Sequence, residues 1–181
     1  MILSSGPWNS KLRKIFGLKE KEQVYSKGVQ FALPKLVDKY ALAVDSNFKD
    51  PEALISTGAR KFFIQPWNGL SLVGTSDSIY KGNPDDFKIT DREVEDFLKE
   101  VRQAYPDKNL KKESIKFVFG GLRPVSGKAN FKEGDSKTSR KASIERELEN
   151  LVIVTGIKYT TFRLVAKKAV SYTHLTLPTK A

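Results

Sequence analysis

Apolar and polar positions alternate along two stretches of the chain in the pattern of β-strands. Residues 24–33 read VYSKGVQFAL and predict one strand. Residues 62–74 read FFIQPWNGLSLVG, in which an Asn-Gly pair separates two apolar runs. Both Asn and Gly tolerate positive φ, so this pattern predicts a tight β-hairpin. Pro66 cannot donate to a ladder, which predicts that its strand is an edge or a strand end there.

A helical period follows the hairpin. Thr90 and Glu93 have the spacing of a capping box, and Pro106 lies beyond the predicted end of the helix at Tyr105. The apolar stripe of this helix consists of Val94, Phe97, Leu98 and Val101. Such a stripe predicts a scaffold helix that covers a sheet.

The remaining elements are shorter. Continuous apolar runs predict strands of the buried type at Ile115–Phe119 and Leu151–Val154. Further predicted elements are a short helix at Ser10–Phe16, a strand at Tyr40–Val44, a polar loop at Tyr80–Phe87, a strand at Ala142–Glu147 and a helix at Thr160–Val170. Strands outnumber helices and are joined by hairpins and long crossovers. The pattern therefore predicts an α+β fold with a mixed β-sheet and helices on one face.

Composition excludes several kinds of chemistry. The 181 residues are 39% hydrophobic and 10% aromatic, which is typical of a folded globular chain. There is no cysteine and one histidine, His174, so a metal site or a Ser-His-Asp triad is not expected. No apolar run approaches the ~18 residues of a membrane span, and no signal peptide is recognisable.

The net charge of +11 is compatible with nucleic acid, an anionic membrane surface or anionic small molecules as partners. A nucleic-acid-binding module would interleave aromatic side chains with cations on one face. Most aromatic residues here lie in apolar patterns instead, and a solvated basic surface explains the scattered lysines. Nucleic acid is therefore not the expected partner.

Two arginines are candidates for binding an anion. Arg123 follows an apolar run and precedes a proline, and a guanidinium fixed there can hold a carboxylate or phosphate through two hydrogen bonds. A structural salt bridge is the alternative for Arg123. Arg140 ends a polar loop, where a basic side chain is usually only solvated.

Lys158 lies where the predicted strand Leu151–Val154 passes through Gly156 into a helix. Free backbone N–H groups at a helix start favour negative charge, and an ammonium group adds to that field. A capping turn with Thr160 or Thr161 as N-cap is the simpler alternative. The chain contains no GxGxxG or GxxxxGK[ST] sequence, so it carries no nucleotide fingerprint of its own.

Several short motifs occur in an order that resembles one family. They read SSGPW at residues 4–8, PW at 66–67 with GTSD at 74–77 and GNP at 82–84, GLRP at 121–124, and GIKYTTFR at 156–163. Each is weak alone. Together, over about 160 residues, they resemble the FAD-dependent glycerol-3-phosphate dehydrogenases, flavin oxidoreductases of the DAO type.

The resemblance implies a domain layout. Residues 1–20 would end the FAD-binding region, 21–150 would form the substrate domain, and 151–170 would form a strand-turn-helix that returns to the FAD site. The Rossmann-like FAD half would be truncated, so this fragment would be inactive alone. Residues 171–181, SYTHLTLPTKA, break the preceding pattern and are expected to be an artefactual tail.

The resemblance also implies roles for particular residues. Arg123 and Arg140 would bind the substrate phosphate, and Lys158 would approach the N1–C2=O edge of the flavin. The implied FAD contacts are Gly6, Gly156, Ile157, Lys158, Thr160 and Thr161. Gln30 stands where the family often has histidine, and an amide can hydrogen-bond substrate but cannot act as a base. Either Gln30 only positions substrate, or the chain is from a subgroup with a different substrate. Ile157 replaces a family glycine.

The expected activity is oxidation of sn-glycerol 3-phosphate to dihydroxyacetone phosphate by hydride transfer to FAD, as part of glycerol metabolism. Another DAO-type oxidase acting on an amine or a 2-hydroxy acid remains the alternative, and a basic nucleic-acid-binding module is the alternative from a different class. Family resemblance and the basic surface further suggest a cytoplasmic protein with peripheral attachment to the inner face of the membrane and quinone as a partner.

Overall fold

A computed structural model describes residues 1–46, 61–107, 110–125 and 142–173. The strands are β1 (Ile2–Leu3), β2 (Tyr25–Pro34), β3 (Leu42–Asp45), β4 (Lys61–Trp67), β5 (Leu70–Gly74), β6 (Ser78–Tyr80), β7 (Phe117–Pro124), β8 (Ser143–Leu148) and β9 (Leu151–Thr155). The α-helices are α1 (Asn9–Leu12), α2 (Asp91–Ala104) and α3 (Phe162–Thr173). Short 3-10 helices cover Gly6–Trp8, Arg13–Phe16, Pro84–Asp86, Lys112–Ser114 and Tyr159–Thr161.

The described residues form two compact units. The first unit comprises residues 1–25, 123–125 and 142–173, and the second comprises 26–46, 61–107 and 110–122. The domain boundaries expected from the sequence remain a prediction.

The first unit is built on a three-stranded sheet in the order β1-β9-β8. β1 runs parallel to β9, whereas β8 and β9 are antiparallel. Both faces of β9 are buried, as the continuous apolar run of residues 151–154 predicts. Helix α3 places Val165 and Ala169 against Val152 and Val154, so β9 is held between its neighbours and this helix.

The second unit contains a sheet in the order β3-β4-β5-β2-β6, with β7 also paired to β2. The predicted hairpin is confirmed, because β4 and β5 are antiparallel and joined by Asn68 and Gly69, whose φ angles are 47° and 77°. β3 pairs with residues 61–64 of β4 only. Pro66 therefore lies beyond the end of β3, where no donor is required of it.

Helix α2 packs on one face of this sheet. Thr90 and Glu93 form the predicted capping box, with the Thr90 amide donating to Glu93 Oε2 at 2.8 Å. The Phe97 ring centroid lies 4.9 Å from that of Phe31 and 6.1 Å from that of Phe62. The whole predicted stripe of α2 is buried in this core. The fold class is thus confirmed as α+β, with the mixed strand pairing located in the three-stranded sheet.

Three local predictions need correction. The strand predicted as buried at Ile115–Phe119 is β7, which begins at Phe117 and is largely exposed in this chain. An apolar run indicates that a strand favours burial, but it does not show which surface will cover the strand. The loop at Tyr80–Phe87 includes the end of β6 and a 3-10 turn, and α3 begins at Phe162 instead of Thr160.

Candidate functional site

The turn that follows β9 carries most of the residues predicted to contact a cofactor. Gly156 has a φ of 73°, a left-handed conformation that favours glycine, and it turns the chain out of the sheet. Lys158 is the cap of the 3-10 helix Tyr159–Thr161, and the Thr161 amide donates to the Lys158 carbonyl at 3.0 Å. No side-chain hydrogen bond caps this 3-10 helix, and a capping role of Thr160 or Thr161 for α3 remains a prediction.

The surface of this turn is open. Ile157, Lys158, Thr160 and Thr161 are all exposed, and Tyr159 is 92% exposed. Within the described part of the chain, the Lys158 ammonium has no ion-pair or hydrogen-bond partner. An exposed turn that combines a cation with an apolar side chain suits a flat ligand with a polar edge.

Asn9 joins this turn to the segment that contains Gly6. The Asn9 side-chain amide donates to the Val154 carbonyl at 2.8 Å and to Thr155 Oγ1 at 3.0 Å. Its oxygen accepts a hydrogen bond from the Ser5 amide at 2.7 Å. Asn9 is 6% exposed, so these bonds are shielded from water. We call this set of contacts the Asn9 latch.

The latch brings two predicted cofactor segments to the same end of β9. Gly6 precedes Asn9 and has a φ of 59°, and the Gly156 turn follows the residues to which Asn9 binds. Gly6 and the residues of the Gly156 turn therefore belong to one constellation, although they are 150 positions apart in sequence. This part of the sequence-based site is brought together within the first unit.

An ionic network fastens the same segment to β8. The Arg13 guanidinium donates two hydrogen bonds to Glu147, at 2.7 and 3.1 Å, and Lys21 Nζ lies 2.6 Å from Glu147 and 3.0 Å from Glu145. Hydrogen bonds from Arg13, followed by those from Lys21, lower the pKa of Glu147 to about 2, against a smaller opposing effect of burial. The segment after Gly6 is thus held to the sheet by charge as well as by the Asn9 latch.

Of the two arginines predicted to bind phosphate, the structure describes Arg123. Arg123 lies near the end of β7 with an exposed side chain, and it belongs to the first unit. The chain beyond it is held by Val125, whose amide donates to the Val24 carbonyl at 3.1 Å. Arg140 lies outside the described residues. Phosphate binding by either arginine remains a prediction.

Gln30 lies in the second unit, on the sheet face opposite α2. It borders a cleft of about 280 Å³. The lining residues are Gln30, Lys61, Phe63, Gln65, Leu72, Gly74 and Thr75. Phe31 and Phe62, next to Gln30 and Phe63 in sequence, face the core with α2, so strand alternation places the cleft residues on the open face. Within the described residues, the Gln30 side-chain amide has no hydrogen-bond partner.

A polar cluster around the buried Lys27 lies on β2 just before Gln30, and no sequence pattern predicted it. Lys27 is 5% exposed, and its ammonium lies 2.6 Å from Glu93, with the Tyr80 and Phe87 ring centroids 5.8 and 5.2 Å away. Burial raises the pKa of Glu93, but hydrogen bonds from Lys27 and Thr90 together outweigh it and lower the pKa. The cation is thus compensated, which anchors β2 to the start of α2.

Asn9 and this cluster are the residues that the sequence analysis missed. Asn9 directly follows the Gly6–Trp8 motif, and a polar side chain at a helix start was the one available signal. Its partner, β9, lies about 145 residues away, and no local pattern names it. Within the described residues, no group of three or more acidic, histidine or cysteine side chains could hold a metal ion. Nor is any described helix long and apolar enough to cross a membrane.

The described residues thus form one unit in which α2 covers a sheet, and another in which β9 leads through the Gly156 turn to Lys158 and α3. Comparison with known families agrees: the FAD dependent oxidoreductase (DAO) family matches residues 1–170. The chain therefore belongs to the FAD-dependent oxidoreductase family.

Known relatives resemble the chain over most of its length. It is 30% identical over 174 residues to the aerobic glycerol-3-phosphate dehydrogenase of Staphylococcus haemolyticus, a match that covers 94% of this chain and 29% of that protein. It is 26% identical over 171 residues to the aerobic glycerol-3-phosphate dehydrogenase of Bacillus subtilis, with the same coverage of both chains.

A solved structure supports the fold. The glycerol-3-phosphate dehydrogenase of Bacillus halodurans, complexed with FAD, matches with a TM-score of 0.69 at 20% identity, over 94% of this chain and 30% of that one. The chain spans less than a third of the length of each of these three relatives.

Proposed function

We propose that this chain is part of a flavoenzyme that oxidises sn-glycerol 3-phosphate to dihydroxyacetone phosphate. The observation that carries the proposal is the Asn9 latch, which holds Gly6 and the Gly156 turn at one end of β9 with Lys158 exposed. Family membership makes FAD the cofactor. The glycerol-3-phosphate dehydrogenase names of the relatives support the choice of substrate.

The residues present fit FAD at this place. Gly6 leaves open space beside the backbone, since an added Cβ would meet no atom within 4 Å, and exposed Ile157 offers apolar surface beside Lys158 in sequence. Gly6, Gly156, Ile157, Lys158, Thr160 and Thr161 would hold the cofactor. When bound, FAD supplies the two-electron oxidant that accepts the hydride from the C2 carbinol of the substrate.

The residues of the chain would bind the substrate and orient it relative to the cofactor. Arg123 and Arg140 would hold the phosphate through paired hydrogen bonds, which fixes the C2 carbinol relative to the cofactor. Gln30 would donate or accept a hydrogen bond at a substrate hydroxyl, and its amide carries no titratable proton. Lys158 would stabilise the negative charge that accumulates at the cofactor edge during oxidation.

A substrate panel on the full-length FAD-loaded enzyme tests the substrate class. We expect turnover of sn-glycerol 3-phosphate and none of amines or 2-hydroxy acids that lack a phosphate. Turnover of a phosphate-free amine or 2-hydroxy acid in place of glycerol 3-phosphate would establish the other DAO-type oxidase activity. The isolated 181-residue chain should show no turnover with added FAD, because it spans less than a third of its relatives.

Lys158→Met tests the cofactor contact. Removing a cation that faces developing negative charge should lower kcat by about 10²-fold, with little change in the KM for substrate. Lys167→Met, on the exposed surface of α3, is the matched loss of charge and should leave kcat unchanged. Equal kcat values for the two variants would remove Lys158 from the proposed mechanism.

We base a proposed location at the membrane on the formal net charge of this chain, which is +11 at pH 7. The full-length enzyme would bind the inner, anionic face of the membrane and pass electrons to quinone. Sedimentation with anionic vesicles at low salt, and release above about 0.5 M salt, is the expected result. Equal binding to neutral vesicles would contradict the electrostatic basis.

A further inference from the structure

Residues Gly74–Asp77 read GTSD; they begin at the last residue of β5 and end just before β6. They contact β2 at Gln30, Val29 and Ser26. We propose that this Gly74–Asp77 segment is a positioning element that sets where the Gln30 amide stands in the cleft. The inference rests on the proposed function, because it gives the segment its role through the contact of Gln30 with substrate.

Gly74 leaves the space that the Gln30 side chain occupies. Gln30 and Gly74 are directly paired across β2 and β5, and Phe63 is paired with Gly74 from the other side. A Cβ atom at Gly74 would overlap Gln30 Cγ and would lie 2.9 Å from Cδ. The Gln30 side chain therefore lies across the bare backbone of Gly74, and any side chain at position 74 would displace it.

Ser76 and Asp77 hold the backbone that carries Gln30. The Val29 amide donates to Ser76 Oγ at 2.8 Å, and the Ser76 amide donates to the Val29 carbonyl at 2.9 Å. Ser26 Oγ donates to Asp77 Oδ1, and both residues are at least 94% buried. β2 is thus held at Val29, the residue before Gln30, and at Ser26, where the bond to Asp77 is shielded from water.

The Gly74–Asp77 segment thus fixes strand β2 and leaves a defined space for the Gln30 side chain. The Gln30 amide has no hydrogen-bond partner in the described part of the chain, and it borders the cleft with Gln65 and Thr75. A side chain that lies across a glycine and keeps its amide unpaired is available to a ligand in the cleft. The geometry thus makes Gly74 a residue that acts on substrate through Gln30.

Four forms of the full-length FAD-loaded enzyme test this: wild type, Gly74→Ala, Gln30→Ala and the double variant. The measurements are KM and kcat for sn-glycerol 3-phosphate. Loss of one neutral hydrogen bond predicts a KM raised about three- to tenfold by Gly74→Ala, and by a similar factor in Gln30→Ala. The double variant should be no worse than Gln30→Ala, because the alanine at position 74 has no amide left to displace.

Val101→Ala controls for lost stability. It removes buried methyl groups from the core of the same unit, away from the cleft, and should lower the melting temperature without changing KM. Additive effects of the two substitutions, or an unchanged KM in Gly74→Ala, would overturn the inference. An equal rise in KM for Val101→Ala would do so too, since the effect would then follow general destabilisation.

A second readout separates this inference from the proposed function. The side-chain amide resonance of Gln30 in glutamine-labelled enzyme can be assigned by its loss in Gln30→Ala. It should shift in Gly74→Ala and stay in place in Val101→Ala. If the wild type does not oxidise sn-glycerol 3-phosphate, the proposed function fails, and this resonance alone decides: an unshifted signal in Gly74→Ala overturns the positioning role.

Discussion

Asn9→Asp tests whether one buried amide joins the two halves of the candidate cofactor site. The substitution keeps the size of the side chain and the oxygen that accepts from Ser5 at 2.7 Å. It replaces the NH₂ group that donates to the Val154 carbonyl at 2.8 Å and to Thr155 Oγ1 at 3.0 Å. The Thr155 hydroxyl can turn and donate to the new carboxylate, whereas the Val154 carbonyl cannot.

The expected loss of stability follows from the unpaired Val154 carbonyl. One buried carbonyl is left facing a carboxylate oxygen, and an unsatisfied buried group costs about 1–3 kcal/mol, more where a charge is involved. Because Asn9 is only 6% exposed, water cannot replace the lost donor. We therefore expect the free energy of unfolding at pH 7 to fall by about 2–3 kcal/mol. Protonation of the aspartate at low pH restores a donor, so the deficit should shrink there.

Urea unfolding followed by tryptophan fluorescence measures this directly, since Trp8 adjoins Asn9 in sequence. Asn150→Asp is the matched control, because it makes the same change of charge at an exposed position of the same unit. We also expect the full-length Asn9→Asp enzyme to hold FAD less tightly than the control. Unfolding curves that coincide for Asn9→Asp and Asn150→Asp would refute the latch.

Two further predictions concern stability alone. Glu147→Gln should flatten the dependence of the free energy of unfolding on pH between about 4.5 and 2. The pKa of Glu147 in the folded protein is lowered to about 2. The stabilisation from its carboxylate is therefore fully present above the unfolded-state pKa and is lost as the pH falls through this window. Urea midpoints from pH 6 to pH 3 check this, and an unchanged slope relative to wild type would contradict it. Thr90→Ala removes the α2 capping box and should lower the free energy of unfolding by about 1 kcal/mol. Thr90→Ser keeps the cap and should stay close to wild type in the same assay.

The sequence was sufficient to predict elements whose interacting residues are neighbours along the chain. The Asn68-Gly69 turn needs two residues with positive φ, and the α2 cap needs only Thr90 and Glu93, so neighbours in sequence carry the whole signal. The β9 run was read correctly for a related reason. A strand that is covered on both faces must be apolar at every position, and four consecutive buried residues satisfy that.

The same kind of pattern misled at β7. Its first residues are as apolar as β9, yet Phe117 is 56% exposed. Hydrophobic side chains favour burial, but the position of the strand within the fold decides whether another surface covers them. The helix boundary at Phe162 shifted because a 3-10 turn, which sequence patterns mark weakly, precedes α3.

By itself, the sequence determined the class of the fold, the family and the residue types at the candidate site, because strand period, helix caps and ordered motifs are all local properties. Tertiary structure alone decided which of those residues meet. Asn9 binds the end of β9 across about 145 residues, and Gly74 gives the Gln30 side chain its place across a strand pair. Hydrogen bonds and side-chain packing act over a few ångströms in space, whatever the separation along the chain, so their partners become known only once the chain is folded.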